Sequence, residues 1–227
     1  MQQTPHILTG AEAIEGARLG AAEFFALEKK IIESGLGSDL APFAEIKRRL
    51  ASPPVLDAED FAREVIYVIL AGGFSQKTAK KLWAKIVEAL PKGEDITLIF
   101  KNANKTRAIA RVWSERARFR DEFYALRADD AEGKIAYLAT LPHVGKITAH
   151  HLARNLGISV VKYDVWIQRL GAARAGLPAE AVGFPLKDEV KAACDEMFAE
   201  LERATGFKRG YIDVVLWKAC QIKLITF

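Results

Sequence analysis

A short segment beyond the middle of the chain combines the residue types of a tight turn with those of a helix start. Residues 141–149 read Leu-Pro-His-Val-Gly-Lys-Ile-Thr-Ala. Pro142 cannot lie inside a helix, so the preceding helix must end near Leu141. Gly145 permits a left-handed or crowded backbone, and the next helix is predicted to start at about Lys146. The free N–H groups and the dipole of that start form an anion site that can hold a phosphate.

A single carboxylate follows at the start of the next predicted helix. Asp164 lies in residues 161–170, which read Val-Lys-Tyr-Asp-Val-Trp-Ile-Gln-Arg-Leu. An acid at this separation from the turn could act on a nucleotide that the turn holds by its phosphate. Asp is also an ordinary N-cap residue, so the alternative is that Asp164 only caps a helix over 164–174. The corresponding alternative for the turn is a corner between two helices that packs and binds nothing.

The elements that would position these residues are almost all helices. Strand-like alternation is nearly absent, which predicts an all-α fold. Residues 96–100 have the composition of a strand but no partner strand, and we expect a short helix or a buried loop there. The predicted helices cover about residues 9–34, 42–52, 57–71, 75–91, 102–126, 129–141, 146–156, 164–174, 186–205 and 209–223. Two capping boxes, Thr9 with Glu12 and Asp129 with Glu132, are predicted to start the first and the sixth helix. Single residues are predicted to start four others: Pro42, Asp57, Ser75, and Asn102 or Asn104. Gly35 and Gly37 are predicted to end the first helix.

The bulk composition narrows the class of protein. The 227 residues, half of them hydrophobic, suffice for one large domain or two small lobes, and the net charge of +4 is compatible with a polyanionic partner. Cys194 and Cys220 lie in apolar helical contexts, which favours a reducing compartment, and two cysteines cannot build a four-cysteine cluster. Residues 1–10 lack the pattern of a signal peptide, and the apolar run 65–74 is too short to span a bilayer, so a soluble cytoplasmic protein is expected.

Taken together, the motifs resemble those of the helix-hairpin-helix DNA glycosylases of the endonuclease III superfamily. In that family the hairpin reads Leu-Pro-Gly-Val-Gly-x-Lys-Thr-Ala, and the acid lies in Val-Asp-x-His-Val-x-Arg. Residues 67–79 resemble the family's apolar helix that ends in a Ser-Gln turn, and residues 105–109 resemble its Lys-Ala-x-x-Ile helix. The resemblance covers about residues 57–170. The matching positions of the hairpin and of the acid segment are Leu141, Pro142, Val144, Gly145, Thr148, Ala149, Asp164, Ile167 and Arg169.

The resemblance implies a two-lobed all-α fold with the active site in the cleft between the lobes. Residues 57–158 would form a central helical bundle ending in the hairpin, and residues 1–56 together with 159–227 would form the second lobe. The implied partner is double-stranded DNA that contains a damaged or modified base. A monomer with no membrane association is expected, in the cytoplasm and near the nucleoid. The chain lacks the four-cysteine iron–sulfur loop of many relatives, so no metal cofactor is implied, although the hairpin backbone could hold a monovalent cation.

The implied reaction is hydrolysis of the N-glycosidic bond of a base flipped out of the duplex. Asp164 would stabilise the oxocarbenium-like transition state and orient or deprotonate water. Ile147 occupies the place where bifunctional members carry a catalytic lysine, which predicts a monofunctional enzyme without lyase activity. Two alternatives stay open: a non-catalytic DNA-binding protein, and a bifunctional glycosylase and lyase that uses Lys146 or Lys162. Alkylated, oxidised, deaminated and hypermodified bases all remain candidate substrates, with a weak preference for alkylated ones.

Further residues are assigned to DNA by the resemblance. Gln76 would fill the gap left by the flipped base, the alternative being a solvated helix start. His150 and His151 diverge by about 100° on a helix and are not expected to chelate a metal. The predicted DNA-binding residues are Gln76, Lys77, His143, Val144, Gly145, Lys146 and Thr148. A base pocket could include Tyr163, Trp166 and Ile147, with core packing as the alternative for Trp166. The charge pattern itself shows two basic stretches, Lys77, Lys80, Lys81 and Lys85, and Arg107, Arg111, Arg116, Arg118 and Arg120. Such stretches are usually solvated faces, and only the one near Gln76 is expected to contact DNA.

Overall fold

The structure is a computed structural model that describes residues 13–34 and 43–227. The described residues form eleven α-helices and one pair of two-residue strands, β1 (Ile14–Glu15) and β2 (Ile225–Thr226). The all-α prediction is therefore confirmed. The helices are α1 (Ala21–Glu33), α2 (Phe43–Ala51), α3 (Ala58–Ala71), α4 (Gln76–Ala89), α5 (Ala103–Ser114), α6 (Arg116–Ala125), α7 (Ala131–Leu138), α8 (Lys146–Asn155), α9 (Val165–Arg174), α10 (Asp188–Thr205) and α11 (Arg209–Gln221).

The chain divides into two compact units, of which one contains the chain ends and the other residues 44–160. Residues 44–56, which the sequence analysis assigned to the lobe of the chain ends, lie in the second of these units. The reason is an ion-pair network that fixes α2 to α3 and α8. Arg49 donates to Glu64 Oε1 at 2.7 Å and to the carbonyl of Asn155 at 3.2 Å, and the Asn155 amide donates to Glu64 at 3.2 Å.

Helix α3 is the centre of the unit formed by residues 44–160. From Phe61 to Leu70 only Arg63 escapes full burial, so the helix is covered on every side. A helix that is apolar all round can be stable only as such a buried core element, and α4, α5, α6 and α8 pack around it. Asp57 caps α3 as predicted, with its Oδ1 accepting from the N–H of Asp60 at 2.8 Å.

In the unit of the chain ends, α9 packs closely against α10. A Cβ added to Gly171 would lie 2.4 Å from the sulfur of Cys194, so the absence of a side chain at Gly171 allows this approach. Helix α11 is buried from Gly210 to Leu216 and packs on α1, α9 and α10. The strands pair in parallel with Ile14 opposite Ile225, a contact that the sequence analysis did not predict.

Several predicted helix boundaries were wrong for local reasons. Residues 13–20 form β1 and a short 3-10 turn rather than the continuation of a helix from Thr9, since Gly16 is held closely against Leu170 and the Thr226 carbonyl. The helix predicted over 102–126 breaks at Glu115 into α5 and α6. The cap of α7 is Asp130, which accepts from the N–H of Gly133 at 2.8 Å, and not Asp129. The predicted signals at Thr9, Glu12, Gly35, Gly37 and Pro42 lie outside the described residues.

The remaining helix signals agree with the structure. Ser75 and Asn102 cap α4 and α5 through the N–H groups of Thr78 and Lys105. Residues 96–98 form a single 3-10 turn, in agreement with the prediction of a short helix. In the described part of the chain, no helix is long and apolar enough to cross a membrane.

Candidate functional site

The turn before α8 has one residue in the left-handed region of backbone space. That residue is His143, with a φ of 61°, whereas Gly145 is extended with a φ of −91°. The left-handed position is thus His143, not Gly145 as the sequence suggested. The N–H of Val144 donates to the carbonyl of Leu141 at 3.0 Å and closes the turn. The turn therefore keeps a conformation that glycine favours even though a histidine occupies the position.

Thr148 completes the start of α8. The N–H of Gly145 donates to the Thr148 hydroxyl at 2.7 Å, and that hydroxyl donates to the Gly145 carbonyl at 2.9 Å. As glycine has no side chain, Gly145 cannot cap the first N–H groups of α8 itself. Gly145 and Lys146 are both exposed. This helix start thus retains the free donors and the positive end of the dipole that favour an anion.

The side chains of the turn divide into a buried set and an exposed set. Leu141 and Val144 are 3 % and 5 % exposed and hold the two helices together. Val144 can therefore reach a ligand only through its backbone, not through its side chain. His143 is exposed, and Ile147 on the first turn of α8 is 39 % exposed, so the position of the missing lysine faces outward from its own unit.

The two adjacent histidines of α8 point in different directions. The Nδ1 of His150 lies 2.9 Å from the Lys146 carbonyl, whereas the ring of His151 is buried edge-on against the ring of Tyr67 at 5.9 Å between centroids. Among the described residues, no group of three or more His, Cys, Asp or Glu side chains could hold a metal ion. The two cysteines are buried, and desolvation raises the pKa of the Cys194 thiol to about 12, which suits an inert core residue.

The buried Lys105, which was not predicted as a site residue, fixes the loop before α4. The Nζ of Lys105 donates to the carbonyls of Ile69 and Gly72, the first at 2.7 Å, and lies 4.9 Å from the centroid of the Phe74 ring. Burial lowers the pKa of Lys105. A Cβ at Gly72 would lie 3.6 Å from the Thr148 methyl, so this loop borders the turn of α8. The Lys-Thr-Arg-Ala-Ile motif of residues 105–109 contains this lysine, but the motif alone did not predict that its side chain is buried.

Asp164 caps α9 with one oxygen only. Its Oδ1 accepts from the N–H groups of Trp166 and Ile167 at 3.0 and 3.3 Å. Its Oδ2 lies 3.5 Å from the Nζ of Lys162, and the two side chains are 14 % and 22 % exposed. The backbone of Lys162 is itself held by Asp213, whose Oδ1 accepts from the Lys162 N–H at 3.3 Å. The capping role of Asp164 is thus present, and the second oxygen forms an ion pair.

The aromatic neighbours of Asp164 differ in their surroundings. The hydroxyl of Tyr163 donates to Asp195 on α10, and burial and this carboxylate raise the pKa of Tyr163. The ring of Trp166 stacks on Phe227 with 6.3 Å between centroids and an interplanar angle of 27°. The guanidinium of Arg169 lies 5.2 Å from the centroid of the Trp166 ring, so it contacts its own helix. Phe227 was not predicted from the sequence, because no local pattern links it to residue 166.

The predicted duplex-contacting helix is α4. Gln76 is its first residue, and Lys77 beside it is exposed. The other basic stretch is largely neutralised within its own helices. Arg111 and Arg118 pair with Glu115, Arg120 pairs with Asp121, and Arg116 donates to the Trp113 carbonyl.

The arrangement of helices is an all-α DNA glycosylase fold. One solved structure with this fold is the 8-oxoguanine DNA glycosylase of Thermotoga maritima, with a TM-score of 0.58; the match covers 88 % of this chain and 97 % of that one. The two sequences are 18 % identical, so the likeness concerns the fold. The sequence matches no protein-family model and no curated protein. The fold expected from the sequence resemblance is therefore confirmed.

Proposed function

We propose that this protein is a monofunctional DNA glycosylase, which hydrolyses the N-glycosidic bond of a damaged or modified base in double-stranded DNA. The observation that carries the proposal is the geometry of Asp164. One oxygen of this carboxylate caps α9, while the other, among the residues that the structure describes, contacts the ammonium group of Lys162 and no backbone group. The capping oxygen fixes the orientation of the carboxylate, and the other oxygen can then stabilise a positive charge that develops on a sugar.

The turn before α8 would bind the DNA backbone. The N–H groups of the first turn of α8 and the positive end of the helix dipole attract a phosphate, and Lys146 adds a full charge at the same place. These donors are backbone groups, so the contact positions the duplex without reading its sequence. Gln76 at the start of α4 would enter the gap left by the flipped base, as the resemblance implies.

In the proposed reaction, the bond between C1′ and the base nitrogen breaks as positive charge develops on the sugar. Asp164 Oδ2 stabilises this charge and orients a water molecule. The water oxygen bonds to C1′, one of its protons is taken up by the carboxylate or solvent, and the departing base gains a proton. The products are the free base and an abasic site in an otherwise intact strand.

The lack of lyase activity follows from position 147. An amine at this position would attack C1′ and form a Schiff base, which leads to strand cleavage. Ile147 is exposed on the first turn of α8 but offers no nucleophile. Lys146 lies one residue earlier, about 100° around the helix, so it does not replace the missing amine.

A second candidate function is a bifunctional glycosylase and lyase that uses Lys162. The observation in its favour is the 3.5 Å between Lys162 Nζ and Asp164 Oδ2, which places an amine beside the proposed catalytic carboxylate. A non-catalytic DNA-binding protein, in which Asp164 only caps α9, is the third reading.

Duplex oligonucleotides with single lesions separate these three functions. The panel includes alkylated, deaminated, hypermodified and oxidised bases; the last are included also because the solved glycosylase of this fold is an 8-oxoguanine enzyme. A monofunctional enzyme yields strands that break only after alkali. Breakage without alkali, with an adduct trapped by borohydride, indicates the bifunctional enzyme. Binding without release of any base from the panel indicates the non-catalytic protein and contradicts the proposal.

A further inference from the structure

Helix α4 has four exposed lysines that form no ion pair with any residue that the structure describes. They are here called the α4 stripe, which consists of Lys77, Lys80, Lys81 and Lys85. Lys77, Lys81 and Lys85 are spaced four residues apart and therefore share one face of the helix. At 1.5 Å per residue, they extend over about 12 Å.

The opposite face of α4 is fixed to the protein. Ala79, Ile86 and Ala89 are at most 2 % exposed. The indole N–H of Trp83 donates to the carbonyl of Arg63 on α3 at 2.9 Å. The stripe is therefore held on the outer side of a helix that cannot rotate, and its charges keep a constant direction.

Exposed cations elsewhere in the same unit mostly have acidic partners. Glu88 is the one acidic residue of α4, and its Oε1 lies 2.8 Å from the Nζ of Lys92 in an ion pair. No other acid within the helix neutralises the stripe. Like charges four residues apart destabilise a helix, so the stripe is unfavourable for folding. Examples of such ion pairs are Lys92 with Glu88, Arg111 with Glu115, Arg118 with Glu115 and Glu122, and Arg127 with Asp129.

We propose that the α4 stripe is a second contact surface for DNA, which binds the phosphates of undamaged duplex next to the lesion. The inference rests on the proposed function, which places Gln76 at the gap in the duplex. Because Gln76 begins α4, the stripe runs away from that residue along the same helix. Successive phosphates of one strand rise by about 3.4 Å each along the duplex axis, so a length of about 12 Å parallel to that axis spans three to four of them.

An anionic lipid surface fits this helix less well than DNA. Helices that bind a membrane surface present a basic face and an exposed apolar face, and the apolar face enters the lipid. In α4 the apolar residues are used against α3, as the burial of Ala79 and Ile86 shows. The stripe therefore offers charge without an insertable surface, which is the requirement for a phosphate backbone.

The test is the salt dependence of binding to a short undamaged duplex, measured by fluorescence anisotropy between about 50 and 200 mM salt. The variant carries Lys77→Gln, Lys80→Gln, Lys81→Gln and Lys85→Gln. Each phosphate contact contributes about 0.9 to the slope of log K against log salt. We expect the slope of the variant to be smaller by about 2.7 to 3.6, with wild-type helical circular dichroism.

A matched control carries Lys92→Gln, Arg111→Gln, Arg118→Gln and Arg127→Gln. Both variants remove four positive charges from a formal net charge of +4, so long-range attraction changes equally. The control is expected to keep the wild-type slope. Equal losses in both variants, or an unchanged slope in the stripe variant, would overturn the inference and leave the proposed function standing. Loss of binding to phosphatidylserine vesicles together with an unchanged DNA slope would overturn it in favour of a membrane. Wild-type protein that binds no duplex would overturn the proposed function itself.

Discussion

The Nζ of Lys162 lies 3.5 Å from Oδ2 of Asp164, the carboxylate oxygen that takes no part in capping α9. The pair is formed two residues apart in the chain, where the backbone bends so that the N–H of Asp164 approaches the carbonyl of Lys162 at 2.6 Å. The same carboxylate therefore holds a helix start and an ammonium group. An ammonium held in this way has no lone pair with which to attack a sugar, which favours a supporting role for Lys162.

Lys162→Met is expected to slow excision by less than about tenfold, because a partly exposed ion pair contributes on the order of 1 kcal/mol. No borohydride adduct is expected from wild type or variant. The measurement is single-turnover release of the base, with borohydride trapping in parallel. Lys191→Met, which removes a comparable partner of Asp195 at 2.6 Å, serves as the control. An adduct in wild type that disappears in Lys162→Met would establish Lys162 as a nucleophile.

Asp164→Asn is expected to keep DNA binding and to lose excision by a factor of about 10²–10⁴, the usual contribution of a positioned acid or base. Asparagine caps helices as well as aspartate does, so the start of α9 should persist. Binding by anisotropy and base release under single-turnover conditions are the two measurements.

Asp130→Asn is the matched control for Asp164→Asn. Asp130 also caps a helix, through the N–H of Gly133, and the substitution removes the same charge. Wild-type activity in this control, with loss in Asp164→Asn, would separate catalysis from capping. Near-wild-type excision by Asp164→Asn would contradict the assigned role.

Ile147→Lys is expected to convert the enzyme from water-using to amine-using chemistry. The position is exposed on the first turn of α8, so a longer polar side chain should be tolerated. Strand breakage without alkali and a borohydride-trapped adduct should appear on the same lesion that wild type excises. Ile147→Met, which has a similar volume and no amine, should give neither. A fully active Ile147→Lys variant without any adduct would show that position 147 does not reach C1′.

His143→Gly should raise the free energy of unfolding by up to about 1 kcal/mol. A left-handed backbone costs an L-residue roughly 1–2 kcal/mol, and glycine avoids this cost. Glycine in turn loses more conformational freedom on folding, which offsets about 0.5–1 kcal/mol of the gain. His143 has a φ of 61°. Urea unfolding of wild type, His143→Gly and His143→Ala measures the effect. The alanine variant keeps a Cβ, so a glycine variant no more stable than the alanine one would contradict the explanation.

Lys105 predicts a pH dependence of stability with a definite sign. Burial lowers its pKa in the folded protein, so at pH values between that lowered pKa and the ordinary value of about 10.4 the unfolded chain binds more protons. The contribution of Lys105 to the free energy of unfolding therefore rises with pH through this window. The comparison is urea unfolding of wild type and Lys105→Met over the same pH range.

The buried tyrosines oppose this trend, since Tyr211 and others have raised pKa values and lose stabilisation as they ionise. These groups are common to wild type and Lys105→Met, so they cancel in the difference between the two curves. That difference is expected to move in favour of wild type as pH rises. Parallel curves would mean that burial does not perturb Lys105.

The helix starts show how far local sequence reached. Asp57, Ser75 and Asn102 each cap the helix that the sequence assigned to them, because a cap depends on atoms two or three residues away. At Glu115 the same reasoning failed, since nothing in the local pattern signals a break between α5 and α6. The division of the chain between the two lobes was predicted from the resemblance. The unit to which residues 44–56 belong depends on the ion pair between Arg49 and Glu64.

The candidate site likewise has features that depend on local sequence and features that depend on packing. The sequence by itself determined the turn before α8, the acid at the start of α9 and the isoleucine at position 147, because each is a local pattern of residue types. Only the tertiary structure decided that Lys105 is buried against the carbonyls of Ile69 and Gly72 and that Phe227 stacks on Trp166. It also decided that the α4 stripe faces outward with no ion pair to any described residue. The physical reason is that burial and charge pairing depend on residues far apart in the chain, and their positions are fixed only when the helices pack.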